Sequence, residues 1–131
     1  MVSSGRSTLP EPPQRLLAIF QPHRYSRTAE FLEPFAQALT QADAVILAPL
    51  YAAGEDPIPG ISSAALAAAI RRLKPDLPVA VTSSLDELTD AVVERSQAGD
   101  LVLAMGAGDV NGLWSRLQQR QERSTAVPLA A

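Results

Sequence analysis

Short apolar runs alternate with segments of helical period along this chain, and that alternation constrains its fold more than any other feature. Leu16-Leu17-Ala18-Ile19-Phe20, Ala44-Val45-Ile46-Leu47-Ala48, Val79-Ala80-Val81 and Leu101-Val102-Leu103-Ala104-Met105 are each short enough for a strand. None alternates apolar with polar residues, as a strand wetted on one face would. Continuous apolar strands suit a parallel sheet that helices cover on both faces. The order strand, helix, repeated along the chain, therefore predicts an α/β fold with a mainly parallel sheet and right-handed crossovers. Ligands of such sheets bind beyond the carboxyl ends of the strands.

The intervening segments carry the 3.6-residue period. From Thr28 to Gln41, Phe31, Leu32, Phe35, Ala36 and Leu39 fall on one stripe, with Pro34 as a possible kink. From Ser63 to Leu73, Leu66, Ile70 and Leu73 share a face. From Ser84 to Gln97, Leu85, Leu88 and Val92 do the same; Ser84 and Glu87 have capping-box spacing, and Gly99 suits the exit. A last helix is expected from Val110 to about Glu122, with Leu113, Trp114 and Leu117 facing inward.

The size of 131 residues fits one domain. Residues 1–14 are polar, carry Pro10, Pro12 and Pro13, and read as a disordered or appended tail; 15–122 read as the domain; 123–131 read as a loose end. With no cysteine, disulfides and thiolate metal sites are excluded, and a lone histidine, His23, excludes a multi-imidazole site. A net charge of −3 and 5% aromatic residues offer no footprint for nucleic acid. No apolar run approaches the roughly 20 residues that span a membrane, and no signal peptide is visible, so a cytoplasmic protein is expected.

Three loops lie at the predicted strand ends. After the first strand, Gln21-Pro22-His23-Arg24-Tyr25-Ser26-Arg27-Thr28 sets two arginines three apart before a helix. Guanidinium forks bind carboxylate or phosphate through paired bonds, and helix N-terminal amides add to that preference; the plainer alternative is a solvated surface loop. After the second strand, a proline-stiffened loop from Pro49 to Gly60 carries Glu55 and Asp56 behind Gly54. Those carboxylates could bind a cation, pair with Arg24 or Arg27, or form an exposed acidic turn. After the fourth strand, Met105-Gly106-Ala107-Gly108 would let the backbone approach a ligand closely. Asn111 stands where a dinucleotide fingerprint needs its third glycine, and no Gly-Lys-Ser/Thr follows.

Taken together, QPHRYSRT (21–28), LYAAGEDPI (50–58) and MGAGDV (105–110) resemble the UDP-N-acetylmuramate–L-alanine ligases of the Mur ligase family, in the same order. The first string is the specific one, and the similarity runs from about Leu16 to Leu117. The resemblance implies a Rossmann-like C-terminal domain of a three-domain peptidoglycan-synthesis enzyme. That enzyme activates the sugar carboxylate with ATP and Mg²⁺ as an acyl phosphate, which the amine of L-alanine then attacks. It further implies that Arg24 and Arg27 hold the alanine carboxylate and parts of the sugar nucleotide, and that His23 helps to position alanine. Tyr25 and the loop Tyr51, Gly54, Glu55 would line the cleft, where the Gly106, Ala107, Gly108 backbone meets substrate. The family's Gly-Lys-Thr phosphate loop and its His-Pro segment ahead of this domain are absent from the sequence. The expectation is therefore an inactive, substrate-positioning piece that lacks its first element, binds no cofactor alone, and is either a marginal monomer or self-associates through apolar surface left open. A stand-alone binding or interaction module that has lost the reaction, and an unrelated α/β protein using the arginine loop for a phosphosugar, are the competing readings.

Overall fold

The computed structural model describes residues 15–106 and 112–119. Its elements run β1 (Leu16–Phe20), α1 (Tyr25–Glu30), α2 (Leu32–Leu39), β2 (Ala44–Leu47), α3 (Ser63–Leu73), β3 (Val79–Val81), α4 (Leu85–Arg95) and β4 (Leu101–Met105), then α5 over 112–119. The expectations for residues 1–14, for Ala107 and Gly108, for the start of the last helix at Val110, and for the end beyond residue 119 lie outside the described residues.

The four strands form one parallel sheet in the order β3-β2-β1-β4. The chain steps from β1 outward to β2 and β3, and then returns to the other side of β1. The strand order reverses at β1 and β4, and in sheets of this kind ligands bind beyond the carboxyl ends at such a point.

Side chains of successive strand residues point to opposite faces, and two cores follow. On one face Ala18, Val45 and Leu47 pack with Ala36 and Leu39 of α2 and Leu66 and Ile70 of α3. On the other, Leu17, Ile19, Ala44 and Ile46 pack with Leu88 and Val92 of α4 and Leu113 of α5. The α/β architecture with helices on both faces is the one its alternating runs predict.

Three details differ from expectation. The helix expected from Thr28 to Gln41 starts earlier, at Tyr25, and is broken at Phe31 (φ −111°, ψ 22°). Pro34 explains the break. In a continuous helix its ring would collide with the Glu30 carbonyl, whereas in the first turn of α2 its missing N–H costs nothing. Trp114, expected inward, is 49% exposed. The fourth apolar run is an edge strand, and Leu101 and Leu103 are half exposed. Over β1 and β4, on the face of α2, lies an open apolar cleft of about 330 Å³ lined by Leu16, Phe20, Phe35, Leu39, Leu103 and Met105 among others.

Polar anchors fix the element ends. The Ser62 and Ser84 hydroxyls cap α3 and α4 by accepting from Ala65 N and Glu87 N. The Glu87 carboxylate reaches back to Ser83 N (2.9 Å), one residue before the cap, so the expected box closes with a one-residue slip. Gly99 (φ +90°) turns the chain between Gln97 and Asp100, four residues beyond the last turn of α4.

The start of β1 is tied to the start of β4 by Arg15. Its Nε and Nη2 donate to the two Asp100 carboxylate oxygens at 3.2 and 3.0 Å, and Nη2 also donates to Arg95 O. The bond from Arg15, followed by that from Gln97 N, holds the Asp100 carboxyl below its ordinary range. A carboxyl depressed in the folded state adds stability above its unfolded pKa of about 3.9, and this is lost as pH falls through the folded value. Melting temperature is therefore expected to be level above about pH 5 and to descend below about pH 4. Asp100→Asn should be less stable at pH 7 and descend less steeply, checked by melts between pH 7 and pH 3; an unchanged descent would remove Asp100 as its source.

Candidate functional site

The crevice is built where the chain leaves β1. Gln21 is buried, donates its N–H to Met105 O (3.0 Å), and donates Nε2 to Pro49 O (2.8 Å). One residue thereby links the carboxyl ends of β1, β2 and β4. Gly106 lies against it with φ +125°, and a Cβ placed there would stand 2.7 Å from Gln21 O. The close approach that the glycine turn was expected to offer a ligand is made at Gly106 to the protein's own β1 exit.

The first two loops continue the sheet pairing past the strands. Tyr51 N donates to Pro22 O (2.8 Å) and Arg24 N donates to Tyr51 O (2.7 Å), making a parallel bridge between His23 and Tyr51. Their rings stack at 5.7 Å with 11° between planes. Arg24 itself takes φ 72°, ψ 144°, a region that L-residues rarely occupy. Such a conformer costs about 1–3 kcal/mol and persists only where the surroundings over-determine it. Here the Arg24 carbonyl accepts from Thr28 N and from Thr28 Oγ1 (2.7 Å), and Thr28 is buried.

His23, Arg24, Ser26, Arg27, Glu30 and Phe31 line a pocket of about 420 Å³. Both arginines flank this single opening beyond the carboxyl end of β1. Among the described residues neither guanidinium makes a salt bridge or a side-chain hydrogen bond. The Arg27 guanidinium lies 5.6 Å over the Phe31 ring, a contact that steadies a cation without neutralising it.

Glu55 follows a different course from the one its position suggested. Its carboxylate accepts from Ser26 N (3.0 Å) and from Ser26 Oγ (2.5 Å). Those bonds, the side-chain one first, hold its carboxyl below the usual carboxylate range, with a smaller contribution from the nearby Arg24 charge. The first-turn amide of α1 expected to favour an anion is thus already satisfied. Asp56 is exposed, and among the described residues no three His, Cys, Asp or Glu gather as a cation site would need. Tyr25 opens α1, while Ala107 and Gly108 lie outside the described residues.

Glu30 and Phe31 carry no mark in the sequence that assigns them to the site, and Gln21 and Ser26 lie in the QPHRYSRT string without a role of their own there. Ser26 has the nearest thing to a signal, its place between two arginines in one string. Its partnership with Glu55 spans 29 residues and leaves no local trace.

A parallel sheet whose strand order reverses beside a cationic pocket defines a doubly wound α/β domain of the ligand-crevice class. The chain belongs to the Mur ligase family: the family described as "Mur ligase, glutamate ligase domain" matches residues 3–108. A Synechococcus sp. (strain CC9605) protein named UDP-N-acetylmuramate--L-alanine ligase is 66% identical over 117 residues, covering 89% of this chain and 25% of that protein. One of the same name from Prochlorococcus marinus (strain MIT 9303) is 57% identical over 131 residues, 100% of this chain and 27% of the relative. The chain thus spans about a quarter of the length of these curated relatives. A solved domain from Haemophilus ducreyi 35000HP, described as a UDP-N-acetylmuramate:L-alanyl-gamma-D-glutamyl-medo-diaminopimelate ligase, shares the fold with TM-score 0.54 and 20% identity. That match covers 91% of this chain and 76% of the solved one.

Proposed function

We propose that this chain is the amino-acid-positioning domain of the ATP-dependent ligation of L-alanine to UDP-N-acetylmuramate in peptidoglycan synthesis. The observation that carries the proposal is the pair Arg24 and Arg27, open in one pocket beyond β1 and without a salt-bridge partner among the described residues. An incoming zwitterion needs a fixed cation at its carboxylate, so that its amine is presented to the acyl phosphate. His23 borders the same opening, Tyr25 stands between the two arginines in sequence and joins the site on family resemblance, and Tyr51, Gly54 and Glu55 belong to the loop beside it. Gly106, Ala107 and Gly108 are assigned to the substrate site on family resemblance alone.

The amine requires an electrophile that this chain does not itself prepare. The sequence has no Gly-Lys-Thr loop for ATP phosphates, and the described residues offer no Mg²⁺ cluster. These residues do not fit ATP or Mg²⁺. We therefore propose that the chain alone is inactive and acts in the cytoplasm. No described helix is long and apolar enough to cross a membrane. The open apolar cleft over β1 and β4 supports self-association of the isolated chain as part of the same proposal.

In a full-length ligase carrying this domain, Arg24→Ala should raise the L-alanine KM by roughly 10- to 100-fold, the worth of one charge-assisted contact. The KM for ATP should stay within about twofold, because the lost contact is not made to ATP. Steady-state kinetics with each substrate varied in turn checks this. An unchanged L-alanine dependence would end the assignment.

A further inference from the structure

From the same pocket we infer that Glu55 is a positioning residue: it sets the arginine loop through Ser26 and does not touch the ligand. The inference rests on the alanine-site reading only for its ligand. Arg24 is the N-cap of α1 and provides no side-chain cap of its own. A helix of six residues cannot hold itself in water. The missing cap comes from the neighbouring loop, where each carboxylate oxygen of Glu55 is engaged by Ser26, one by the amide and the other by the hydroxyl.

The loop is shaped for that reach. Ala53 (φ 52°) and Gly54 (φ 88°) follow one another at positive φ, and Glu55 N closes the reversal on Ala52 O (3.1 Å). Together with the two Tyr51 backbone bonds, the Glu55 bonds hold the arginine loop at both ends of residues 22–26. Arg24 sits between these anchors in its strained conformation. A carboxylate paired directly with a guanidinium would compete with an incoming anion. Spent on Ser26 instead, the Glu55 charge steadies the loop and leaves both cations open.

The test uses the purified chain and needs no activity. L-alanine is titrated into wild type, Glu55→Ala, Glu55→Gln and Ser26→Ala, with NMR signals of the arginine Nε–Hε groups and of the Ile46 and Leu17 methyls recorded throughout. Glu55→Ala should weaken L-alanine binding about 10-fold and move the Arg24 and Arg27 Nε–Hε signals toward free-chain positions, while the core methyls stay in place. Glu55→Gln should restore both, because its amide can accept from Ser26 N and donate to Ser26 Oγ. Ser26→Ala, which removes only the hydroxyl bond, should fall between and covers the case in which Glu55→Ala fails to fold. Wild-type arginine signals in Glu55→Ala, or no rescue by glutamine, would overturn the clamp. A wild-type chain that ignores L-alanine would count against the alanine reading, and the ligand-free arginine signals would still decide the clamp.

Discussion

Gly106→Ala is expected to lower the melting temperature by roughly 10 °C, given about 3 kcal/mol and the sensitivity of a domain of this size. Two costs add. The position has φ +125°, where an L-residue is strained by about 1–3 kcal/mol. A methyl there would also stand 2.7 Å from Gln21 O and 3.0 Å from Gln21 Cβ, and overpacking of this kind costs about 1–3 kcal/mol. Gln21 cannot yield easily, since its N–H is bound to Met105 O and its amide to Pro49 O. Gly60→Ala separates the terms: its φ is +82° but nothing lies within 4 Å of the added carbon. It should show only the strain, roughly a third to a half of the loss. Thermal melts of both variants at pH 7 make the check. A Gly106→Ala protein melting with the wild type would mean that β1 and β4 exits are not in contact.

Ile46→Ala should cost about 2–5 kcal/mol, while Leu103→Ala should cost about 1 kcal/mol or less. Ile46 is fully buried on β2, between β1 and β3, and packs in the core beneath α4 and α5. Removing its side chain leaves a cavity that a parallel sheet fixed on both sides cannot close. Leu103 is 46% exposed on the edge strand, so truncation returns little surface to water. Urea unfolding of the two variants gives the contrast directly, as midpoint shifts at constant slope. The contrast is expected where the isolated chain is monomeric; losses that become equal as protein concentration rises would show the proposed self-association covering the face over β4.

Both predictions turn on what the chain reveals at different distances. β1, β3, β4 and α3 fall on the residues their patterns mark, and β2 ends one residue earlier, at Leu47. The helix cap at Ser84 and a disturbance of the helix at Pro34 were also legible, though as a kink and not as the break at Phe31, because a proline ring or a serine hydroxyl acts within one helical turn. The inward assignment of Trp114 failed because the helical stripe around Leu113 and Leu117 leaves its neighbour at the boundary. The candidate site was half legible. Arg24 and Arg27 stand in one short string, and the rule for strand ends placed that string at the crevice.

Local order along the chain, with its strand runs, helical stripes, turns and caps, was determined by the sequence alone, since those preferences act over a few residues. Only the tertiary structure decided that β1 lies between β2 and β4, that the fourth run is an edge, and that Glu55 serves Ser26. Those outcomes depend on which distant segments come together when the sheet is laid down. An apolar run carries the same pattern whether it ends up central or at an edge, and a carboxylate carries no mark of the hydroxyl it will meet.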